Sequence, residues 1–589
     1  MLERNSKLIN RKFYQYLIPS ILTIFAIQFA SLLDGIIVGN MLGVIALSAT
    51  SLVLPILYFI QMPGFALGVG GSIVVGVLLG KRDLNAAKKA FSACILAGVL
   101  LSVIIAALAP AIARPLADAF SEDLEVRELG YEYIFIYMVT DPVITIALLM
   151  SQFLSVDNSP RLASFFTIFS NAVKIGSMFL FIGAFNWGMY GAALSTGFGY
   201  LVGFLSLIVY IKSDKRLLKF TLNIKGAFSD LKASLKASSS TAINMILTAV
   251  QMLIVNIVLG KLITDQSDLL IFGIAANLVF AFDLFAGGIL GVIPTICGVL
   301  YGEKDCYSLK SITRKIFLIN FAVAAIITAV IMIAPQAYAY IFSYNDEAHI
   351  EEAKLVMRIY LISFIPYELN KFSMNYYPTI EKNIPSYVTV VLREAVIVLP
   401  VTLVLLHTNG LMGYAIAQVI NEWATLIITY AFVLIYGKLK NKGSGLFLFE
   451  KINFKSYDVS MDTNIDNASI ISKEIADFAL ENNIDNKNAQ IIALASEEYV
   501  SNIIQYGYKS KSHKENYIDV NLKIIDDKLL LRIRDDGMPF DPTKYEFDSD
   551  DEKYMTSGIN LVSKLTEKVS YMRVLSLNNT VIEMNFAKV

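Results

Sequence analysis

The sequence has few of the residues that support disulfide or metal chemistry. It contains three cysteines and three histidines among 589 residues. Cys94, Cys297 and Cys306 lie in or beside apolar stretches, at spacings that fit neither a disulfide framework nor a zinc site, and we interpret them as packing residues. The net charge is −1, so the excess of Lys and Arg that is typical of nucleic-acid binding is missing, and we expect no nucleic-acid partner.

Charged residues are also scarce, at 17% of the chain, whereas 56% of the residues are hydrophobic and the mean hydropathy is +0.58. These values exclude a soluble protein of this size and are typical of a polytopic membrane protein in the lipid bilayer. The N-terminus leads into an apolar run without a cleavage signature, which predicts a first helix that is retained. About twelve apolar runs have membrane-spanning length. They lie near 16–38, 47–79, 90–112, 131–155, 163–184, 188–211, 239–261, 269–300, 313–335, 354–377, 385–406 and 411–436.

The charges between these runs alternate along the chain. Lys and Arg cluster at 7–12, 81–89, 212–236 and 438–442, and the segments on the opposite side are neutral or acidic. Basic loops stay on the cytoplasmic side of a membrane. The pattern therefore predicts a multi-pass protein of the plasma membrane with both termini in the cytoplasm.

An internal repeat relates the two halves of the apolar region. G-V-L-L-G-K-R-D at 76–83 returns as G-V-L-Y-G-E-K-D at 298–305, and G-M-Y-G-A-A at 188–193 returns as G-L-M-G-Y-A at 410–415, both displaced by 222 positions. A period that contains six spans predicts two six-helix bundles, 1–222 and 223–440, related by an axis along the membrane normal. This layout favours alternating access over a channel, which is more often built from identical subunits around a filter.

Several segments resemble the multidrug and toxic compound extrusion (MATE) transporters over roughly residues 10–440. They are D-G-I-I-V-G-N-M-L-G at 34–43, a second span rich in Pro and Gly that ends in G-K-R-D, and G-M-Y-G-A-A. The resemblance implies export driven by a proton or sodium gradient. It also implies a coupling-ion role for Asp34, with Gln28 and Asn171 in the same polar set. A wider flippase superfamily shares the layout, so a flippase for a lipid-linked or anionic envelope compound is an alternative.

Ionisable groups at membrane depth are costly and therefore functional candidates. A buried carboxylate such as Asp34 can take up and release a proton, although it can equally serve as a structural partner. Lys174 and Arg393 lie at comparable distances before the Gly motifs of their halves and suggest an anionic or zwitterionic substrate. In the alternative, nearby acids neutralise these bases, and Lys174 pairs with Asp34. The available acids are Asp34, Asp141, Asp283, Glu368 and Glu394; we expect Glu368 to pair with Lys371 at i,i+3, and Glu422 is too isolated to interpret.

The composition becomes that of a soluble α/β domain after a basic linker at 441–459, so residues 460–589 form a cytosolic domain. Two amphipathic helices, about 466–482 and 486–505, precede a strand pair whose turn is Asp526-Asp527. A long polar loop, a further helix and a final hairpin around Asn578-Asn579 follow. This order predicts an α/β sandwich.

Three motifs in this domain point to nucleotide chemistry. E-E-Y-V-S-N places Glu498 and Asn502 one helical turn apart, as a base and a metal-binding amide require. D-D-G ends a strand with Asp535 and Gly537, where a carboxylate can accept the adenine amino group and the glycine lets the base approach. S-G-I-N opens a helix at Gly558 and Asn560, whose amides can face phosphates.

The order of these motifs resembles the GHKL ATPases, closest to the anti-sigma-factor serine kinases. The resemblance implies Glu498 as general base, Asn502 as Mg²⁺ ligand, Asp535 as adenine contact and 538–556 as the ATP lid; Gly537, Gly558, Asn560 and Thr580 complete the binding set. Pro539 replaces a glycine of the pattern, and Asn560 stands where a glycine is common. A sensor histidine kinase is disfavoured because the only histidine here is His513, in a loop. A degenerate docking domain is the alternative to an ATP-binding one.

Together these features predict a gradient-coupled exporter of a small molecule whose cytosolic domain binds ATP and Mg²⁺. Because the chain has no Walker A motif, we do not expect ATP to power transport. We expect instead that ATP regulates transport or is the phosphate donor for a cytosolic regulatory protein. The alternative from another class is a membrane-tethered, anti-sigma-like serine kinase whose helices act as a receptor.

Overall fold

A computed structural model describes residues 3–119, 123–213, 216–221, 227–262, 266–337, 350–439, 443–449, 454–508, 516–544 and 555–586. Its contacts divide the chain into two compact units. The helical unit comprises Tyr16–Asp305 and Thr313–Phe449. The C-terminal unit comprises Met1–Gln15, Cys306–Ile312 and Glu450–Val589.

Long apolar helices build the helical unit. Its helices and those that lead into it are α1 (Lys7–Leu42), α2 (Val44–Gly80), α3 (Leu84–Asp118), α4 (Leu124–Val156), α5 (Pro160–Met178), α6 (Gly188–Ile211), α7 (Ala227–Leu262), α8 (Gln266–Leu290), α9 (Gly298–Gly302), α10 (Cys306–Ile333), α11 (Ile350–Leu361), α12 (Phe364–Thr379), α13 (Asn383–Val391) and α14 (Val398–Leu439). Within the described ranges, nine helical stretches are long and apolar enough to cross a membrane. The multi-pass prediction is confirmed, and the count of twelve stays a prediction.

The predicted spans do not all coincide with the observed helices. The span at 354–377 is divided between α11 and α12, because Ile362 and Ser363 form a turn. The spans at 385–406 and 411–436 join in one helical stretch, Asn383–Leu439, which is interrupted at Gly410 by a non-helical backbone with φ 58° and ψ −139°. The acidic segment with Asp346 and Glu347 lies outside the described residues.

The backbone reproduces the internal repeat. Arg82 and its counterpart Lys304 both have positive φ, at 64° and 53°, and Gly188 and Gly410 have φ of 53° and 58°. These pairs have the same displacement of 222 positions as the sequence motifs. Equivalent residues thus share a positive φ in both halves, which is uncommon for residues other than glycine such as Arg82 and Lys304.

The two copies of the glycine motif pack against each other. A Cβ on Gly80 would lie 2.2 Å from the Val299 carbonyl oxygen, and a Cβ on Gly302 would lie 2.2 Å from the Val77 carbonyl oxygen. Small residues let helix backbones approach this closely in membranes. The motif that reveals the duplication is therefore also the place where the halves meet.

The C-terminal unit contains one antiparallel sheet of order β1-β2-β3-β5-β4. The strands are β1 (Lys455–Asp462), β2 (Tyr517–Ile525), β3 (Lys528–Asp535), β4 (Lys568–Val574) and β5 (Leu577–Asn585), and the helices are α15 (Asp466–Glu481), α16 (Asn486–Asn502) and α17 (Met555–Leu565). Alternate strand residues such as Val520 and Leu531 pack with Ile471 and Ile492 of the helices in one core. The predicted α/β sandwich is confirmed.

Two local features of this domain differ from the expectation. Strand β1 begins at Lys455, inside the stretch 441–459 that the composition assigns to a linker. The final hairpin turns at Leu575 and Ser576, both with positive φ, and not at Asn578-Asn579. Asn578 instead pairs with Asp535 across β3 and β5, which gives it a role in the site. The predicted turn at Asp526-Asp527 is confirmed.

Candidate functional site

The sheet and α16 bring the predicted nucleotide residues of the C-terminal unit together. Glu498 and Asn502 lie one turn apart near the end of α16. A Cβ on Gly558 of α17 would lie only 1.8 Å from Glu498 Oε2. The carboxylate of the predicted general base therefore rests directly against the first turn of the predicted phosphate-binding helix, and a side chain at Gly558 would displace it.

The side-chain amide of Asn502 is hydrogen-bonded within its own helix. Its Nδ2 donates to the Glu498 carbonyl oxygen at 2.8 Å, which turns the amide oxygen, the atom that can bind a cation, to the opposite side. No group of three or more Asp, Glu, His or Cys residues suited to a metal occurs among the described residues. A nucleotide site does not require one, because Mg²⁺ takes most of its ligands from phosphates and water.

Asp535 ends β3 in a tightly hydrogen-bonded pocket. Its Oδ1 accepts from the Gly537 amide at 2.8 Å and from Asn578 Nδ2 at 2.8 Å. A Cβ on Gly537 would lie 2.7 Å from the Gly507 carbonyl oxygen, so a side chain there would push the loop away from α16. With Oδ1 committed to two donors, the second oxygen is the one that can accept from a ligand.

Burial raises the pKa of the Asp535 carboxyl to about 6; the hydrogen bonds from Asn578 and Gly537 and the charge of Arg573 lower it, and the charge of Asp536 raises it. A group with this pKa is mostly ionised at pH 7 and mostly neutral at pH 5. The acceptor strength of the Asp535 carboxyl therefore depends on pH in the mildly acidic range.

Asn578 and Arg573 are positioning residues that the sequence analysis missed. Asn578 Oδ1 accepts from Arg573 at 2.6 Å and from the Tyr571 hydroxyl at 2.8 Å, and its Nδ2 also donates to the Met538 carbonyl at 3.0 Å. These contacts fix the amide that in turn fixes Asp535. The position of Asn578 relative to the last strand was the signal that could have identified it. The prediction of a turn at Asn578-Asn579 obscured that signal.

The remaining predicted nucleotide residues are less central. Thr580 is buried in β5 opposite Ile533, and Asn560 is half-buried in α17. Of the predicted lid at 538–556, residues 545–554 lie outside the described residues, as does His513.

In the helical unit, Lys174 of α5 forms an ion pair with Asp34 of α1 through Oδ2. This geometry matches the second of the two interpretations of the sequence, in which Lys174 pairs with Asp34. Asn171 donates to the Thr167 carbonyl of its own helix at 2.8 Å. Gln28 is half-buried on α1, and no hydrogen bond within the described part of the chain joins it or Asn171 to the pair.

Arg393 is held by two carboxylates in the second half. Its Nε lies 2.7 Å from Glu422 Oε1, and its NH1 donates to Glu394. Asn370 Nδ2 donates to Glu422 Oε2 at 2.8 Å, and Thr248 donates to Glu394 Oε2 at 3.1 Å. Glu422, which looked isolated in the sequence, is therefore part of a network, because helix packing brings α12 and α14 together.

The expected pair between Glu368 and Lys371 is wrong. Lys371 instead pairs with Asp283 of α8, since a partner across the helix interface is better placed than one on its own helix. The Glu368 carboxylate is fully buried and lies outside the ion pairs of the described residues. Asp141 is likewise buried, with Thr145 donating at 3.4 Å and no described base beside it.

In these networks the acidic side chains outnumber the basic ones. The second half contains the buried carboxylates of Glu368, Glu394 and Glu422 and the half-buried carboxylate of Asp283, together with two bases, Lys371 and Arg393. The first half adds Asp34 with Lys174, and Asp141. Lys174 and Arg393 are thus neutralised by neighbours and do not line the unit as unpaired positive charges.

Comparison with known proteins agrees with both units. The sequence model of the MatE family matches residues 19–180 and 241–404, and that of the histidine kinase-like ATPase domain matches residues 462–586. Among curated relatives, "Multidrug export protein MepA" of Staphylococcus saprophyticus is 22% identical over 390 residues, which is 65% of this chain and 85% of that protein. MepA of Staphylococcus haemolyticus is 23% identical over 395 residues, with the same shares of the two chains.

Two solved structures share the fold. One is described as an outward-facing multidrug resistance MATE family transporter, with a TM-score of 0.66 and 20% identity over 73% of this chain and 95% of that one. The other is described as a transporter of the MOP superfamily from Pyrococcus furiosus whose binding pocket has reversed polarity, with the same score and shares. At this identity the likeness establishes the fold of the helical part.

Proposed function

Because the chain belongs to the MatE family and carries a histidine kinase-like ATPase domain, we propose that it is a gradient-driven exporter that Mg-ATP regulates. The exporter works by alternating access in the plasma membrane, with both termini in the cytoplasm. The observation that carries the regulatory half is the placement of Glu498 against Gly558, with Asp535 and its hydrogen-bond partners in the same domain.

The buried acids support coupling to a cation. A buried carboxylate without a base beside it, such as that of Asp141, either takes up a proton or binds a metal cation in a low-dielectric interior, and the fully buried Glu368 carboxylate lies outside the ion pairs. Asp34 has a base, Lys174, that can release it when the pair separates. The coupling ion is therefore H⁺ or Na⁺, taken up by these groups during the transport cycle.

The pairing of the bases changes the expected charge of the substrate. An anionic substrate needs unpaired positive groups, and both Lys174 and Arg393 are engaged by carboxylates. A substrate with a positive group, either a cation or a zwitterion, fits this excess of acidic over basic side chains better. This agrees with the relatives, whose names describe multidrug export.

Direct binding of Mg-ATP tests the regulatory half. The experiment uses the purified full chain, because Met1–Gln15 and Cys306–Ile312 are part of the C-terminal unit. We expect saturable Mg-ATP binding that Asp535→Ala abolishes and that Asn502→Ala makes insensitive to Mg²⁺. A folded wild-type protein without Mg-ATP binding would refute this half and leave a docking domain.

Phosphorylation of a cytosolic protein is the second candidate function, because the predicted general base is present and half-buried on α16. Glu498→Gln separates the two functions. Binding that survives in this variant while phosphate transfer to a partner disappears would indicate a serine kinase. Export that a lipid-linked compound blocks competitively would instead indicate the flippase.

A further inference from the structure

The second face of the sheet in the C-terminal unit is polar yet buried. Asp519 and Asn521 of β2 and Arg532 and Arg534 of β3 alternate with the core residues, and each is less than 7% exposed. The free face of an antiparallel sheet is ordinarily solvated. Charged residues buried there require a partner that covers them and supplies opposite charge.

Arg4 supplies part of that cover. Its guanidinium pairs with Asp519 and lies 3.3 Å from Asp458 Oδ1, and it donates to Ser460 Oγ at 2.9 Å. It also donates to Ser308 Oγ, at the start of α10, at 3.0 Å. One side chain thus fastens both the N-terminal segment, defined as residues 3–15, and the start of α10 to the sheet.

A second anchor reaches the nucleotide pocket itself. Arg11 NH1 lies 2.9 Å from Asp536 Oδ2, and Lys12 Nζ lies 3.8 Å from the same oxygen. The Tyr508 hydroxyl donates to Asp536 Oδ1 at 3.3 Å. Asp536 directly follows Asp535, so the first helix of the chain holds the loop that forms the base-recognition site.

The same helix continues far beyond this contact. Helix α1 runs from Lys7 to Leu42, and Asp34 belongs to the same helix as Arg11. One element therefore bears a contact to the pocket loop at one end and a candidate coupling carboxylate near the other.

We propose that the N-terminal segment is a built-in docking partner of the nucleotide domain and that Mg-ATP acts on transport through the contact of Arg11 with Asp536. The proposal rests on the proposed nucleotide binding. Occupancy of the pocket reshapes the loop at 535–538, and Asp536 transmits the change to the start of α1. By linkage, loosening the contact must also change Mg-ATP affinity.

Hydrogen exchange of peptides from residues 3–15, measured on the full chain with and without Mg-ATP, tests the proposal. Mg-ATP affinity is measured on the same samples by calorimetry. The variants are Arg11→Ala, Arg4→Ala and Asp535→Ala. Arg114→Ala is the matched control, because Arg114 forms an exposed ion pair with Glu128 in the helical unit.

We expect Mg-ATP to change exchange of the N-terminal segment in the wild type and in Arg114→Ala, and not in Asp535→Ala. Arg11→Ala should weaken Mg-ATP affinity roughly fivefold and suppress the exchange response. Arg4→Ala should raise exchange of the segment even without nucleotide. Normal Mg-ATP binding with no exchange response in the wild type would overturn this inference alone, whereas absence of binding would overturn the proposed function as well.

Discussion

The affinity for ATP should fall as the solution becomes acidic, because Asp535 recognises the adenine amino group as an acceptor. Only the ionised carboxyl has both oxygens available as acceptors, and Oδ1 is already committed to Gly537 and Asn578. With a pKa of about 6, the carboxyl is largely ionised at pH 7 and largely protonated at pH 5. ATP therefore binds strongly above the pKa of Asp535 and more weakly below it.

The magnitude follows from the same value. For one required ionisation, the dissociation constant rises about twofold at pH 6 and about tenfold at pH 5, relative to its plateau at higher pH. The neighbouring charges of Asp536 and Arg573 act in opposite directions on this carboxyl and are present throughout. The dissociation constant is therefore expected to rise about fivefold between pH 6 and pH 5.

Calorimetric titration of the full chain between pH 5 and pH 8 measures this dependence. Adenosine is the control ligand, since it has no phosphates that titrate in this range, and its affinity should fall in parallel with that of ATP. A flat adenosine profile from pH 7 to pH 5 would refute the role of Asp535 as the ionised acceptor.

Three further predictions concern packing and charge. Gly558→Ala should weaken Mg-ATP binding, because its Cβ would displace the Glu498 carboxylate, while gradient-driven dye transport without nucleotide continues; loss of both would contradict it. Gly80→Ala should lower the melting temperature, at a cost of about 1–3 kcal/mol, whereas Gly176→Ala, with open space around its Cβ, should be neutral or stabilising; equal effects would argue against a close helix crossing. Lys174→Met should destabilise the protein by about 3–5 kcal/mol, because it leaves the Asp34 carboxylate without its partner. The double variant with Asp34→Asn should recover stability but not transport. Recovery of gradient-driven transport in that double variant would show that Asp34 is not part of the coupling.

Local signals in the sequence sufficed for much of the fold. The helices of both units follow apolar length and periodicity, and the repeat follows from two glycine motifs that the structure places in equivalent conformations. Glu498 and Asn502 share a face because helical spacing dictates it, and Asp535 and Gly537 share a turn for similar local reasons.

The ion pairs depended on tertiary packing and were harder to predict. Lys371 pairs with Asp283 on another helix and not with Glu368 on its own helix, and Glu422 pairs with Arg393 across a helix interface. Asn578 was hidden because the hairpin turn uses Leu575 and Ser576 with positive φ, whereas asparagine is the residue that ordinarily predicts such a turn. Propensity identifies a strand or a turn, but partner choice depends on which helices and strands meet.

Transport measured in proteoliposomes that contain the full chain tests the central claim, that an ion gradient drives export and Mg-ATP regulates it. Ethidium serves as the cationic probe, under an imposed proton or sodium gradient and with Mg-ATP on both sides of the membrane. We predict that a gradient alone moves the dye, that Mg-ATP alone does not, and that Mg-ATP changes the gradient-driven rate in the wild type but not in Asp535→Ala. Concentrative transport driven by Mg-ATP in the absence of any gradient would contradict the account.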